Sequence, residues 1–251
     1  MSEHVEIDVS DRVLTITFNR PDRLNALTHA MYSAAADGLE RAAGDAAIRV
    51  VVITARGRAF TAGNDLDDFA AGMPEGKPPV IRFLEALLDA PKPVVAAVNG
   101  PAVGVGLTML LHCDLAFAAS SATFHAPFPQ IGLVPEAGSS LLLPRALGSA
   151  WANDILLAGR KLSAEEALSA GLVSRVYDDE ALLPKTLKTA AVIAAQAPNA
   201  TLQTKALMRS GRQAVVDQMT KEGAVFNAQL RSAEFAEAVS AFKEGRPPQF
   251  E

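Results

Sequence analysis

The chain has 251 residues, 49% of them hydrophobic and 20% charged, with a formal net charge of −5. These values exclude a disordered or fibrous chain. They argue against a nucleic-acid surface, which needs a basic face, while a few local arginines can still hold an anionic small ligand. Cys113 is the only cysteine, so no intrachain disulfide and no cysteine metal cluster can form. That usage, the charged opening MSEHVEIDVSDR and the lack of a run of about 20 apolar residues predict a soluble cytoplasmic protein that meets no membrane.

The first region reads as a hairpin. Val5–Val9 and Val13–Phe18 alternate apolar and polar residues, and Ser10-Asp11 supplies turn chemistry between them. A helix is predicted from an N-cap at Thr28 to about Gly44. Val50–Thr54 and Pro93–Val98 are continuous apolar runs of strand length, the mark of strands covered on both faces. Strands alternating with helices predict an α/β domain. From about Glu136 the pattern turns helical, with segments at 182–196, 199–212, 215–232 and 234–244 and one short strand at Leu172–Tyr177. Pro198 is the natural boundary, giving regions 1–197 and 198–251.

Two glycine-containing loops follow the buried strands, Gly57–Leu66 and Asn99–Gly106. Each lies where a parallel strand ends and a helix begins, the usual ligand edge of an α/β sheet. The first N–H groups of a helix have no internal partner, and glycine lets backbone approach a ligand. Two such N–H groups converging on one oxygen make an oxyanion hole. Each loop alone is equally well a tight strand–helix connection. A dinucleotide fingerprint is weak, because Gly104-Val105-Gly106 is followed by Leu107-Thr108-Met109 without a third glycine.

Several segments narrow the choice. AFTAGNDL (59–66), AAVNGPAVGVG (96–106), CDLAFAASSATFHAP (113–127) and GLVPEAGSSLLLPRALG (132–148) closely resemble the enoyl-CoA hydratase/isomerase, or crotonase, superfamily. FNRPDRLNAL (18–27), KLSAEEALSAGLVSRV (161–176) and AFKEGRPPQF (241–250) extend the resemblance over nearly the whole chain. The resemblance implies stacked ββα units carrying an acyl-CoA site, followed by a C-terminal helical trimerisation region, assembled as a homotrimer or a dimer of trimers. It implies an acyl-CoA thioester substrate and no cofactor or metal, coenzyme A being part of the substrate. It further implies that the backbone N–H groups of Ala62 and Val105 form the oxyanion hole. Gly63, Asn64, Asp65, Leu66 and Gly104 would line the site with them.

The carboxylates are the informative departure. Hydratases of this family use two glutamates, and the corresponding positions here are Thr108 and Phe128. Neither can activate water or protonate carbon. A third acidic position is Glu136, which resembles that of delta-3, delta-2 enoyl-CoA isomerases, with ring-opening relatives often using aspartate. One carboxylate suffices for a 1,3-proton shift, and apolar surroundings would raise its pKa. Without the resemblance, Glu136 reads as an acid favoured by a helix N-terminus.

Arg23, Lys243 and Arg246 are candidates for the CoA phosphates and Phe242 for the adenine, each equally a surface residue. Asp65, Asp67 and Asp68 suit helix capping. His112, Asp114 and His125 suit packing. The resulting expectation is an isomerase that converts 3-enoyl-CoA to 2-enoyl-CoA. Its rivals are a hydratase or ring-modifying isomerase of the same superfamily, a non-catalytic CoA-binding or oligomeric interaction protein, and a nicotinamide oxidoreductase.

Overall fold

The computed structural model describes residues 2–65, 68 and 76–250. Strands β1 (Val5–Ser10) and β2 (Val13–Phe18) form the expected antiparallel hairpin, with Ser10 opposite Val13. The turn residues are therefore Asp11 and Arg12, one position later than expected. Both have positive φ, 50° and 66°, the primed geometry whose twist matches the flanking strands.

Four further strands extend this sheet, all parallel: β3 (Val50–Ala55), β4 (Val94–Val98), β6 (Leu115–Ala119) and β9 (Arg175–Tyr177). The order is β1-β2-β3-β4-β6-β9. Every residue of β4 is buried, as is all of β3 except Ala55, which explains the unbroken apolar runs. A smaller sheet joins β5 (Ala102–Val103) parallel to β7 (Thr123–His125) and β7 antiparallel to β8 (Leu162–Ser163).

Helix α1 (His29–Gly44) starts at Thr28, whose hydroxyl accepts from Met31 N at 3.2 Å. It buries Met31, Ala35, Leu39 and Ala42 against the sheet. Gly38 lets it sit close: a methyl group there would lie 3.1 Å from both Ile7 and Ile16. Helix α2 (Pro79–Leu88) packs on α1. The short helix α3 (Val105–Thr108) runs into a 3-10 turn, Met109–His112. Helices α4 (Ser139–Leu147), α5 (Ser149–Leu156) and α6 (Ala164–Ala170) follow, and α7 (Asp179–Ala194) packs across β3, β4 and β6. The expected strand at 172–177 is shortened because α6 ends at Gly171 (φ 84°) and its cap uses the next residues: Leu172 N and Val173 N donate to Ala167 O at 2.8 and 3.2 Å.

Three helices close the chain: α8 (Pro198–Met208), α9 (Arg212–Gln229) and α10 (Ala233–Glu244). They fold back on the first region. Lys205 Nζ reaches Asp114 Oδ2 at 2.7 Å, and an Arg209 guanidinium nitrogen reaches Asp114 Oδ1 at 2.9 Å and His112 O at 2.7 Å. Among the described residues no helix is long and apolar enough to cross a membrane. The mixed α/β sheet with a helical C-terminal region agrees with the expected crotonase-like architecture.

Candidate active site

The two glycine loops are stitched together edge to edge. Phe60 N and Thr61 N each donate to Pro101 O at 3.1 Å, and Val103 N donates to Thr61 O at 3.0 Å. There is no spare room: a Cβ on Gly106 would lie 2.5 Å from Thr61 Cγ2, and one on Gly100 2.2 Å from Arg58 O. Glycine at both positions is therefore a packing requirement.

Asn25 locks the first loop from below. It is fully buried, and its amide donates to Arg56 O and Ala59 O, both at 2.8 Å, while its Oδ1 accepts from Arg20 N at 2.7 Å. Asn25 O accepts from Thr61 Oγ1 at 2.7 Å. Leu24 and Asn25 reach this position through successive left-handed conformations, φ 51° and 55°, which asparagine tolerates. The FNRPDRLNAL segment is thus a support for the loop.

This support decides which N–H groups remain available. Ala62 N donates to Leu24 O at 2.9 Å, so the expected oxyanion donor is already committed. Gly63 N donates to Thr61 Oγ1 at 3.1 Å, and Asp65 N to Leu27 O at 3.0 Å. Asn64 pairs with Leu27 in a parallel bridge, a pattern in which the peptide groups of its neighbours face Leu27 and its own N–H faces away. Among the described residues, Asn64 N–H meets no acceptor, and neither does Val105 N–H at the start of α3. In the first loop the N–H that meets no acceptor is thus that of Asn64 and not that of Ala62, and in the second it is that of Val105. Gly104 (φ 56°) turns the chain into α3, its N–H donating to His125 O at 2.8 Å.

Glu136 faces this region from the next segment. Thr108, fully buried on α3, donates its hydroxyl to Glu136 Oε1. Burial raises the Glu136 carboxyl to about 7; the Thr108 hydrogen bond opposes that rise, and the charge of Glu222 adds to it. Tyr32, buried on α1, donates its hydroxyl to Asn64 Oδ1 at 2.5 Å. Burial holds this phenol well above its ordinary pKa, with the Glu136 charge adding to the effect, so it stays a neutral donor. The site joins one desolvated acid, a hydroxyl fixing one of its oxygens, and two uncommitted backbone N–H groups. Such a set can move a proton and hold a developing oxyanion.

The other expected residues fall into place around it. Asp65 pairs with Arg20 at 2.5 Å, and its Oδ1 accepts from Asp68 N at 3.2 Å; both contacts brace the loop. Asp68 accepts from His29 N at 2.6 Å, next to the start of α1. Phe128 is buried at 4% exposure. His112 donates from Nε2 to Ala137 O at 2.7 Å, and burial lowers its pKa to about 4. His125 meets Gly159 O at 3.1 Å. Arg23 and Lys243 are exposed, and Phe242 is 72% exposed. Arg246 is held within its own region by Glu237 and Glu244, at 2.5 and 2.6 Å. Leu66 and Asp67 lie outside the described residues. A separate cavity of about 830 Å³ borders Lys205, Arg209 and Arg212. Its acids Asp114 and Asp89 are paired with those cations.

Comparison with known proteins places the chain in a family. Residues 8–251 match the family model described as enoyl-CoA hydratase/isomerase. The chain belongs to the enoyl-CoA hydratase/isomerase family. Within the family it is 38% identical over 260 residues to 1,2-epoxyphenylacetyl-CoA isomerase of Escherichia coli K12, covering 100% of this chain and 99% of that one. It is 35% identical over 243 residues to rat enoyl-CoA delta isomerase 2, covering 94% of this chain and 62% of that one. The crystal structure of an enoyl-CoA hydratase/isomerase from Pseudoalteromonas atlantica T6c superposes with a TM-score of 0.97 at 55% identity, over 99% of this chain and 100% of that one. Proteins named as hydratases are also among the relatives.

The sequence pattern did not expose Asn25, Tyr32 or Glu222. Each contacts loop backbone or side chains more than 30 positions away. The one local signal was the asparagine within Leu24-Asn25-Ala26.

Proposed function

We propose that the protein is an acyl-CoA isomerase that moves a 3-enoyl-CoA double bond to the 2-position, with Glu136 as the single proton carrier. The observation that carries this reading is the buried carboxyl of Glu136, raised to about 7 and tied through one oxygen to Thr108. A carboxyl near 7 is ionised often enough to take a proton and neutral often enough to return one.

In this mechanism the thioester carbonyl sits at the N–H groups of Asn64 and Val105. Glu136 removes a proton from C2, and the electron pair spreads over the dienolate, placing negative charge on the thioester oxygen. The two N–H groups hold that charge; one such donor is worth about 10²–10³ in rate. Glu136, now protonated, delivers the proton to C4 as the electrons return from oxygen, leaving the double bond between C2 and C3. No atom is gained or lost, and no cofactor or metal enters the scheme. Hydration needs a second group to activate water, and Thr108 and Phe128 cannot supply it.

A second reading, isomerisation of a ring-modified acyl-CoA, draws on the 38% identity to 1,2-epoxyphenylacetyl-CoA isomerase. It uses the same acid and the same two donors. A homotrimer or dimer of trimers is part of the proposal on family grounds, as is contact of Arg23, Phe242 and Lys243 with the CoA moiety.

The test is turnover of a 3-enoyl-CoA, a 2-enoyl-CoA and an epoxidised aromatic acyl-CoA side by side. Isomerisation of the first with negligible hydration of the second is the expected result. Preference for the third would select the second reading, and rapid hydration would refute both.

A further inference from the structure

We propose that Glu222, on α9, is a positioning residue for Glu136: its carboxylate seats the turn that carries Glu136 and keeps a negative charge facing it. The inference rests on the reading of Glu136 as the proton carrier.

The turn is unusual. Ala137 has φ 58° and Gly138 has φ 72°, so two successive residues occupy the left-handed region, and the first is not glycine. A non-glycine residue there costs about 1 kcal/mol or more and persists only where surrounding contacts hold it. Helix α4 begins immediately afterwards, with no side-chain cap from its own N-cap, Gly138. Glu222 supplies the cap from another helix. Gly138 N donates to Glu222 Oε2 at 2.5 Å, Ser140 N donates to Oε1 at 3.0 Å, and the Ser140 hydroxyl also donates to Oε1. Gln218, one turn earlier on α9, donates to Ser140 Oγ at 2.8 Å. Three donors thus converge on one carboxyl, and the positive end of α4 favours a negative group there.

Glu222 is only 6% exposed, and among the described residues no lysine or arginine pairs with it. Two peptide N–H groups and the Ser140 hydroxyl face it, and it is little screened by water. The ionisable groups facing Glu136 are Tyr32 from α1 and Glu222 from α9; His112, from the 3-10 turn, holds Ala137 O as a neutral ring. Glu222 is thus the charged neighbour that opposes ionisation of Glu136. Through Glu222 the C-terminal helical region thereby reaches the proton carrier itself.

The experiment compares the pH dependence of kcat in wild type, Glu222→Gln and Ser140→Ala, with Glu136→Gln as reference. Glutamine keeps the shape and an accepting oxygen but removes the charge, so the rising limb of Glu222→Gln should move to lower pH by about 0.5–1 unit. Ser140→Ala loses one donor and leaves the charge, so its limb should stay in place. Coincident limbs in Glu222→Gln and wild type would overturn the proposal, as would an equal shift in Ser140→Ala. A Glu222→Gln protein that does not fold, beside a folded Ser140→Ala, would reveal a structural brace only and would overturn it too. If Glu136→Gln remains active, the assignment of Glu136 has failed. An inactive Glu136→Gln with an unmoved Glu222→Gln limb defeats the Glu222 inference alone.

Discussion

The Thr108 hydroxyl donates to Glu136 Oε1 across 28 positions of sequence. The family resemblance implies a hydratase glutamate at this position; here Thr108 is instead a donor to Glu136. The bond orients one carboxyl oxygen and leaves Oε2 without a partner among the described residues. It also favours the ionised form, and burial outweighs it, which places the group at about 7.

That balance has a consequence for stability. The fold favours protonated Glu136, so between the usual value of 4.5 and about 7 the folded state binds more protons than the unfolded state. Stability contributed by this group is present at the acid end and falls as pH rises through that window. Glu136→Gln mimics the protonated form. It should melt with wild type at about pH 4 and above it at pH 8, by up to about 3 kcal/mol, or several degrees for a chain of this size. Calorimetry at the two pH values checks this; equal melting at both would contradict a desolvated carboxyl.

The assignment of backbone donors is tested at Asn64. Asn64→Ala keeps the N–H and should lower kcat modestly, by about tenfold or less, through loss of the Tyr32 contact. Asn64→Pro removes the N–H and should lower kcat by about 10²–10³. Similar kcat values for the two variants would point away from this N–H. Circular dichroism of the two variants is the check that both fold.

Tyr32→Phe removes the hydroxyl that donates to Asn64 Oδ1 and keeps the ring against Phe83, at a centroid distance of 5.6 Å. Its melting temperature should fall by only a few degrees, reflecting about 1 kcal/mol. Its kcat should fall more than its KM rises, because the loop carrying the oxyanion donor loosens. A change confined to KM would make Tyr32 a substrate-contacting residue instead.

Much of this arrangement was legible in the sequence. The runs at Val50–Thr54 and Pro93–Val98 announced covered parallel strands, and Thr28 announced the start of α1, because each signal is local. Glu136 was singled out by the resemblance to delta-3, delta-2 enoyl-CoA isomerases, and without it reads as an acid at a helix N-terminus. The identity of the free N–H in the first loop was not legible. Ala62 and Asn64 are two residues apart, and their availability depends on Leu24 O and Leu27, which lie in a distant turn. The short strands β5, β7 and β8 carry two or three residues each, too few to show a period. Glu222 lies on a mostly polar helix, where nothing separates it from solvated neighbours until α9 meets Gly138 and Ser140.

The docking of the C-terminal region depends on Asp114. Its carboxylate accepts from Val94 N at 2.7 Å and pairs with Lys205 and Arg209. Asp114→Asn leaves Lys205, only 8% exposed, without its countercharge. A loss of about 3 kcal/mol is expected in denaturant unfolding. Burial already lowers the Lys205 pKa, so the deficit should shrink at alkaline pH as the amine deprotonates.

The most direct test of the central claim is kcat for 3-enoyl-CoA isomerisation by Glu136→Gln, measured beside its affinity for a non-reactive acyl-CoA. Loss of activity by about 10⁴ or more with affinity unchanged is the predicted result, since an amide retains the shape of the acid and cannot carry the proton. Isomerisation persisting within about tenfold of wild type would contradict the account and place the proton carrier elsewhere.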